Sequence, residues 1–342
     1  MKYITVVLSL ALMFMYGGCD NQVSKEYPHK NIFLYIFSSQ GGSTDIWARY
    51  LSKVMEDEMG VKFICNNLPG ANGGLAAMKV WNAPHDGYTV LGASETSLFF
   101  GVNDVAPMVD KWDFFIAVSS SGVIAVLDKS PYHSIQDLVN AAKKAPGLVK
   151  ISNSGMGKLW HIKAVQFEKG ADIKFQHIPY NGSAPAISAL LSKEVDAVSC
   201  SAEEIHEYVR SGLLRPLVIT ETEGMEITGH GFVKSAADIY PKVAKGFENL
   251  HQWIGFLLPE DVPDSVKIVF GNAFKKAISN PVIQEQIKIQ KVKKLGLTGK
   301  EAKRLVTKMQ SEASWISNDL GIAKRDPKKL GIPKNVEMSD AN

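Results

Sequence analysis

Residues 32–49 read IFLYIFSSQGGSTDIWAR. The apolar run Ile32 to Phe37 stops at Ser38-Ser39-Gln40-Gly41-Gly42. Ser43-Thr44-Asp45 then opens a segment with Ile46, Trp47, Tyr50, Leu51, Val54 and Met55 at helical spacing. The pattern predicts a strand buried on both faces of a parallel sheet, a glycine loop, and a helix capped by Ser43 or Thr44. Such a loop sits at the carboxyl end of a strand and the positive end of a helix. Glycine lets the backbone come close to a ligand, and the unpaired N–H groups of a helix start favour an anion. The stretch fits an anion site or an ordinary tight strand-to-helix turn, because GGxxD spacing alone does not separate the two.

The rest of the chain supports a large soluble body. With 342 residues, 45% hydrophobic and 21% charged, the expectation is about two globular domains. Thirty-eight basic residues are interspersed with 35 acidic ones, a net charge of +3 that argues against a nucleic-acid binder. Lys288, Lys291, Lys293, Lys294 and Lys300 are expected on a solvated helical face. At the N-terminus Lys2 precedes the apolar stretch Ile4 to Met15, too short to span a bilayer comfortably. Tyr16-Gly17-Gly18-Cys19 follows, with the form of a lipoprotein cleavage box. The expectation is a leader over residues 1–18, a lipidated Cys19 and a tether over 19–26, with Asp20 after the cysteine favouring retention at the inner membrane. Cys65 and Cys200 fall on separate predicted strands and read as core residues.

Strand, polar loop and helix then recur. Asn66 to Gly74 is a turn-rich loop before a short helix ending near Pro84, and a strand from Tyr88 feeds Gly92-Ala93-Ser94-Glu95-Thr96. Phe114 to Val118 and Val123 to Leu127 read as strands. In VKISNSGMGKLWH (149–161) a strand feeds Asn153-Ser154-Gly155-Met156-Gly157 and a helix follows. That is a second anion cradle, with Lys158 in the first turn and His161 on a helix face; both residues also fit plain surface or packing roles. In FQHIPYNGSAPAISALLSKEVDAVSC (175–200) a strand ends at Pro179-Tyr180-Asn181-Gly182 and Ser183 opens a helix. Arg215 to Thr220 is an apolar strand, and the C-terminal part is helical over Ser265 to Ile278, from Pro281, and over Thr298 to Ile316.

YPHKNIFLYIFSSQGGSTDIWAR, NNLPGANGG followed by PHDGYTVLGAS, SGMGKLWH, and HIPYNGSAPAISALLSKEVDA, in that order, resemble the substrate-binding proteins of tripartite tricarboxylate transporters, the Bug receptors. The resemblance covers roughly residues 27 to 320. It implies an α/β, two-lobed periplasmic binding protein of type II-like form, with parallel-rich sheets, flanking helices and a hinge. One lobe would be residues 27–122 plus 228–342 and the other 123–227, the chain crossing near Val123 to Leu127 and again near Leu217 to Thr220. The ligand-binding residues it implies are Ser38, Ser39, Gly41, Gly42 and Asp45 in the first loop, and Ser94 and Thr96 in the second. Asn153, Ser154, Gly157, Lys158 and His161 follow in the third, and Tyr180, Gly182 and Ser183 in the fourth. Asp45 is expected to brace its loop, or to face an amine if the ligand carries one. The family often has proline and an aromatic where this chain has Phe37 and Ser38, and serine then a small residue where it has Asn153 and Ser154. Lys158 stands at its serine or threonine after GxG, and favours a second carboxylate at the far end of the ligand.

The function so implied is that of an extracytoplasmic receptor, with no cofactor or metal. It would act as a monomer tethered through Cys19, closing on a small organic carboxylate and delivering it to a tripartite-type membrane permease.

 A carboxylate or amino-acid sensor that presents its closed form to a signalling partner is the alternative. An enzyme is not expected: none of the eight histidines falls in HExxH, Glu203 to His206 is an isolated ExxH expected on a solvated helix face, and no GxSxG elbow or nucleotide fingerprint is present.

Overall fold

A computed structural model describes residues 26–247 and 250–334. The expected leader and Cys19 lie outside the described residues. β1 (Ile32–Ile36) leads through the glycine loop to α1 (Ser43–Met59), and β2 (Phe63–Asn67), α2 (Gly74–Trp81), β3 (Thr89–Ser94) and β4 (Trp112–Ser119) follow. The chain then builds β5 (Gly122–Leu127), α3 (Ile135–Lys144), β6 (Lys150–Asn153), α4 (Leu159–Ala171) and β7 (Gln176–Pro179). Next come α5 (Ser183–Leu191), β8 (Ala197–Ser201), α6 (Ala202–Arg210) and β9 (Leu214–Ile219). It returns through the hairpin β10 (Met225–Ile227) and β11 (Gly231–Val233) and the short helices α7 (Ala236–Ile239) and α8 (Ala244–Phe247). β12 (Ile254–Pro259), α9 (Asp264–Ser279), α10 (Pro281–Gln290), β13 (Lys293–Thr298) and α11 (Gly299–Asp319) complete the order.

Two sheets result. One has six strands in the order β13-β4-β12-β3-β1-β2, and the other five in the order β7-β6-β8-β5-β9. β1 pairs in parallel with β2 and β3, as the βα alternation requires, whereas β12 lies antiparallel between β3 and β4. The wholly buried IGFLLP of β12 is central to the first sheet, an apolar run without alternation that the sequence reading leaves unassigned. β1 itself alternates. Ile32, Leu34 and Ile36 are fully buried, but Phe33 is 46% exposed, so the expectation of burial on both faces is corrected. On the buried face Trp47, Leu51 and Met55 of α1 pack with Phe270 and Phe274 of α9, each large apolar side chain contributing about 1.5–3 kcal/mol. α1 stops at Gly60, whose φ of 68° suits the left-handed C-cap that glycine adopts without strain.

The segments near which the chain was expected to cross between lobes, Val123–Leu127 and Leu217–Thr220, fall largely within β5 and β9, which pair with each other antiparallel. The links are just outside them. Glu221 sits where these links meet: its carboxylate accepts from Gly122 N at 3.0 Å, lies 3.0 Å from His251 Nδ1, and pairs with the buried Lys163, which also donates to Thr220 O at 2.7 Å. Residues after 227 do not all return to the first sheet. Ala236, Val243 and Phe247 share a core with Val139 and Phe167 of the second lobe, because α4 needs its outer apolar face covered. The lysine cluster is not one helical face either: Lys288 lies in the last turn of α10, Lys291 caps it in the left-handed conformation, and Lys293 and Lys294 lie on β13.

Candidate functional site

The first loop is held from behind by charge. Asp45 Oδ2 accepts from Gly41 N at 2.9 Å, and its Oδ1 accepts from Arg49 Nε and Asn67 Nδ2, both at 2.8 Å. Asn67 Nδ2 also reaches Ser38 O at 3.1 Å, so one side-chain cluster fixes both ends of the turn. Gly41 takes a φ of 80°, a conformation that favours glycine. The N-cap of α1 is Gly42, with no side-chain cap, rather than Ser43 or Thr44.

A protein carboxylate takes the place of that cap. Glu204, in the first turn of α6 in the opposite lobe, accepts from Ser43 N at 2.9 Å through Oε1. Its Oε2 accepts from Ser201 Oγ at 2.7 Å and Ser201 N at 3.2 Å, closing a capping box on α6. The anion that the sequence assigned to the start of α1 is thus the protein's own. Burial raises the Glu204 carboxyl above its ordinary range, opposed by these donors and by Ser183. Two further contacts bridge the lobes: Ser39 Oγ donates to Asn181 O, and Asn72 Nδ2 donates to Met156 O at 3.1 Å.

The third loop, between β6 and α4, is held by neutral groups. Asn153 Oδ1 accepts from Gly155 N at 3.1 Å, and His161 Nδ1 accepts from Gly157 N at 3.2 Å. The His161 ring meets His177 edge-on, with centroids 4.8 Å apart. Burial, and then the neighbouring His177, push its pKa down to about 4, so it stays a neutral acceptor. Gly157 has a φ of 73°, and a side chain there would meet Ile322. Lys158 is the N-cap of α4, and burial lowers its pKa while Glu95 opposes that.

The cleft between the lobes is lined by Phe37, Ser38, Ser39, Gly42, Ser43 and Thr44 from the first loop, and by Ser94, Glu95 and Thr96 after β3. Ser154, Lys158, Trp160, Gly182, Ser183, Glu204 and Gln252 complete the wall. The space among them is about 40 Å³, room for a water or two while Glu204 reaches across. Glu95 is only 2% exposed, and burial pushes its carboxyl up to about 7 despite donors at Ser94 and Thr96 and the charge of Lys158.

Of the residues singled out from the sequence, Ser38, Ser39, Gly42, Ser94, Thr96, Ser154, Lys158, Gly182 and Ser183 meet on this wall. Gly41, Asp45, Asn153, Gly157 and His161 stand behind it and shape the two loops. Tyr180 turns its hydroxyl away, donating to Glu194 Oε2 at 3.2 Å. Glu95, Glu204, Trp160 and Gln252 were passed over. Glu95 lay between two chosen residues, and Ser201 with Glu204 carries the capping-box spacing that marks a helix start. Gln252 had no signal, because it precedes the unrecognised β12. The ExxH pair is not solvated: Glu203 and His206 are buried, and Glu203 is pushed up to about 8 mainly by burial.

Known proteins are similar to this chain in sequence and in fold. The family model described as the tripartite tricarboxylate transporter family receptor matches residues 47–322. A protein encoded in the tcbD-tcbE intergenic region of Pseudomonas sp. strain P51 is 26% identical over 306 residues, 85% of this chain and 86% of that protein. The periplasmic binding protein BugD superposes with a TM-score of 0.78 at 21% identity, covering 87% of this chain and 100% of BugD. An R. palustris protein solved with adipate gives 0.78 at 20% identity, covering 87% of this chain and 99% of its own. These structures share the two-lobed periplasmic-binding-protein fold, and the chain belongs to the tripartite tricarboxylate transporter receptor family.

Proposed function

We propose that this chain is an extracytoplasmic solute receptor that binds a small organic carboxylate between its lobes and delivers it to a tripartite-type membrane permease. The observation that carries the reading is the cleft wall, where hydroxyls of Ser38, Ser43, Ser94, Thr96, Ser154 and Ser183 converge from both lobes beside Lys158. Hydroxyls and an ammonium are donors to a carboxylate. The R. palustris relative solved with adipate is a neighbour of the same fold.

Magnitudes require both lobes. Micromolar affinity needs about 8 kcal/mol, and one hydrogen bond to a charged group contributes about 1.5–3 kcal/mol. No single loop reaches that sum, so the ligand binds fully only when the lobes close on it. The start of α1 is where one ligand oxygen fits, replacing Glu204. That replacement makes the liganded closed form differ from the form closed on Glu204, a difference a membrane partner can read.

The test is calorimetric titration of the chain from Asp20 onward with mono-, di- and tricarboxylates, aromatic acids and amino acids. Saturable binding of one acid class is expected, with about 2.7 kcal/mol of added stability at a hundred times the dissociation constant. Failure of every acid to bind would overturn the reading.

A further inference from the structure

We propose that the cleft selects an acid that also carries an ammonium group, which Glu95 and Gln252 receive. The inference rests on the carboxylate-receptor reading and deepens it. Both residues line the cleft and are nearly wholly buried, Glu95 at 2% and Gln252 at 4% exposure. Glu95 Oε1 accepts from Thr96 Oγ1 at 3.3 Å, but Glu95 Oε2 and Gln252 Oε1 are buried acceptors with no partner among the described residues. A buried acceptor without a donor is costly, and native proteins keep few of them.

A ligand can supply the missing donors. An ammonium has three N–H groups and a positive charge, which suits a carboxylate oxygen and an amide oxygen together. The ligand's carboxylate then has Lys158 and the hydroxyls of Ser38 and Ser43, whose oxygens are also buried without partners. Cleft and ligand are complementary in sign: Lys158 faces the ligand's carboxylate, and an ammonium beside Glu95 favours the ionised form of that carboxyl. The second carboxylate that Lys158 suggested from the sequence would share this small cleft with the carboxylates of Glu95 and Glu204. Like charges that close in a buried site cost affinity.

Matched acids test this without knowing the natural ligand. Alanine against lactate, aspartate against malate, and 4-aminobutyrate against butyrate differ chiefly in the amine, and calorimetry on the chain from Asp20 gives each ratio of affinities. At least one amino acid is expected to bind about tenfold or more tightly than its partner, the worth of one charged hydrogen bond. Glu95→Gln, which keeps the shape and removes the charge, should bring that ratio to within about threefold of unity. If the amine-free acids bind equally or better, the ammonium proposal is overturned while the carboxylate reading stands. Equal losses for both members of a pair in Glu95→Gln would also overturn it. If no acid binds, the carboxylate reading itself falls. The wild-type ratios decide the matter even where the variant does not fold.

Discussion

The two glycine loops look alike as strings of residues, yet the structure finishes them differently. The loop before α1 is pinned by the charged cluster of Asp45, Arg49 and Asn67, and its helix start is met by Glu204 from across the cleft. The loop before α4 is pinned by the neutral Asn153 and His161, and a lysine stands at its helix start. A helix N-terminus attracts an anion in both cases. Which anion arrives depends on what the opposite lobe holds. The lesson is that a cradle seen in sequence marks a place for negative charge without saying whether the charge belongs to the ligand or to the protein.

Removing the charged pin is the strongest way to break the contrast. Asp45→Ala strands Gly41 N–H, the Asn67 amide and Arg49, and is expected to lower unfolding stability by about 3–4 kcal/mol. Urea unfolding would show it, and a loss below about 1 kcal/mol would mean the cluster does not hold the loop. The neutral pin should respond to acid instead. His161 titrates near 4 when folded and 6.5 when unfolded, so between those values the unfolded chain binds more protons. Its contribution is therefore complete above about pH 6.5 and is lost as pH falls to about 4, a cost of about 3 kcal/mol. His161→Gln should flatten that part of the stability profile, and an unchanged slope would contradict the assignment. Glu204 gives the smallest effect on stability and the sharpest on binding. Glu204→Gln keeps an acceptor for Ser43 N but loses the charge at the start of α1 and one acceptor for Ser201, about 1–2 kcal/mol. It should raise affinity for a carboxylate several-fold, about 1 kcal/mol in binding free energy. Weaker binding would mean that the ligand does not replace Glu204.

The parts legible in advance were those with local causes. The α5 helix begins at Ser183 as read, although Gly182 and not the serine is its N-cap, because apolar spacing acts within a few residues. Where partners are far apart in sequence, the reading ran out. β12 has no periodic signature, since a strand buried on both faces alternates with nothing. Ala236, Val243 and Phe247 joined the second lobe because α4 had apolar surface to cover, a need that arises only once α4 is in place.

By itself the sequence determined the repeated strand-loop-helix units, the two glycine cradles and the hydroxyl-rich loops, since each depends on neighbouring residues and on what glycine, serine and a helix start can do. Only the tertiary structure decided that Glu204 reaches α1 from 161 residues away, that Glu95 and Gln252 are buried beside Lys158, and that His161 and Asn153 stand behind the wall. Charge and burial at a site are sums over every group that folding brings near, and that list exists only after the lobes have met.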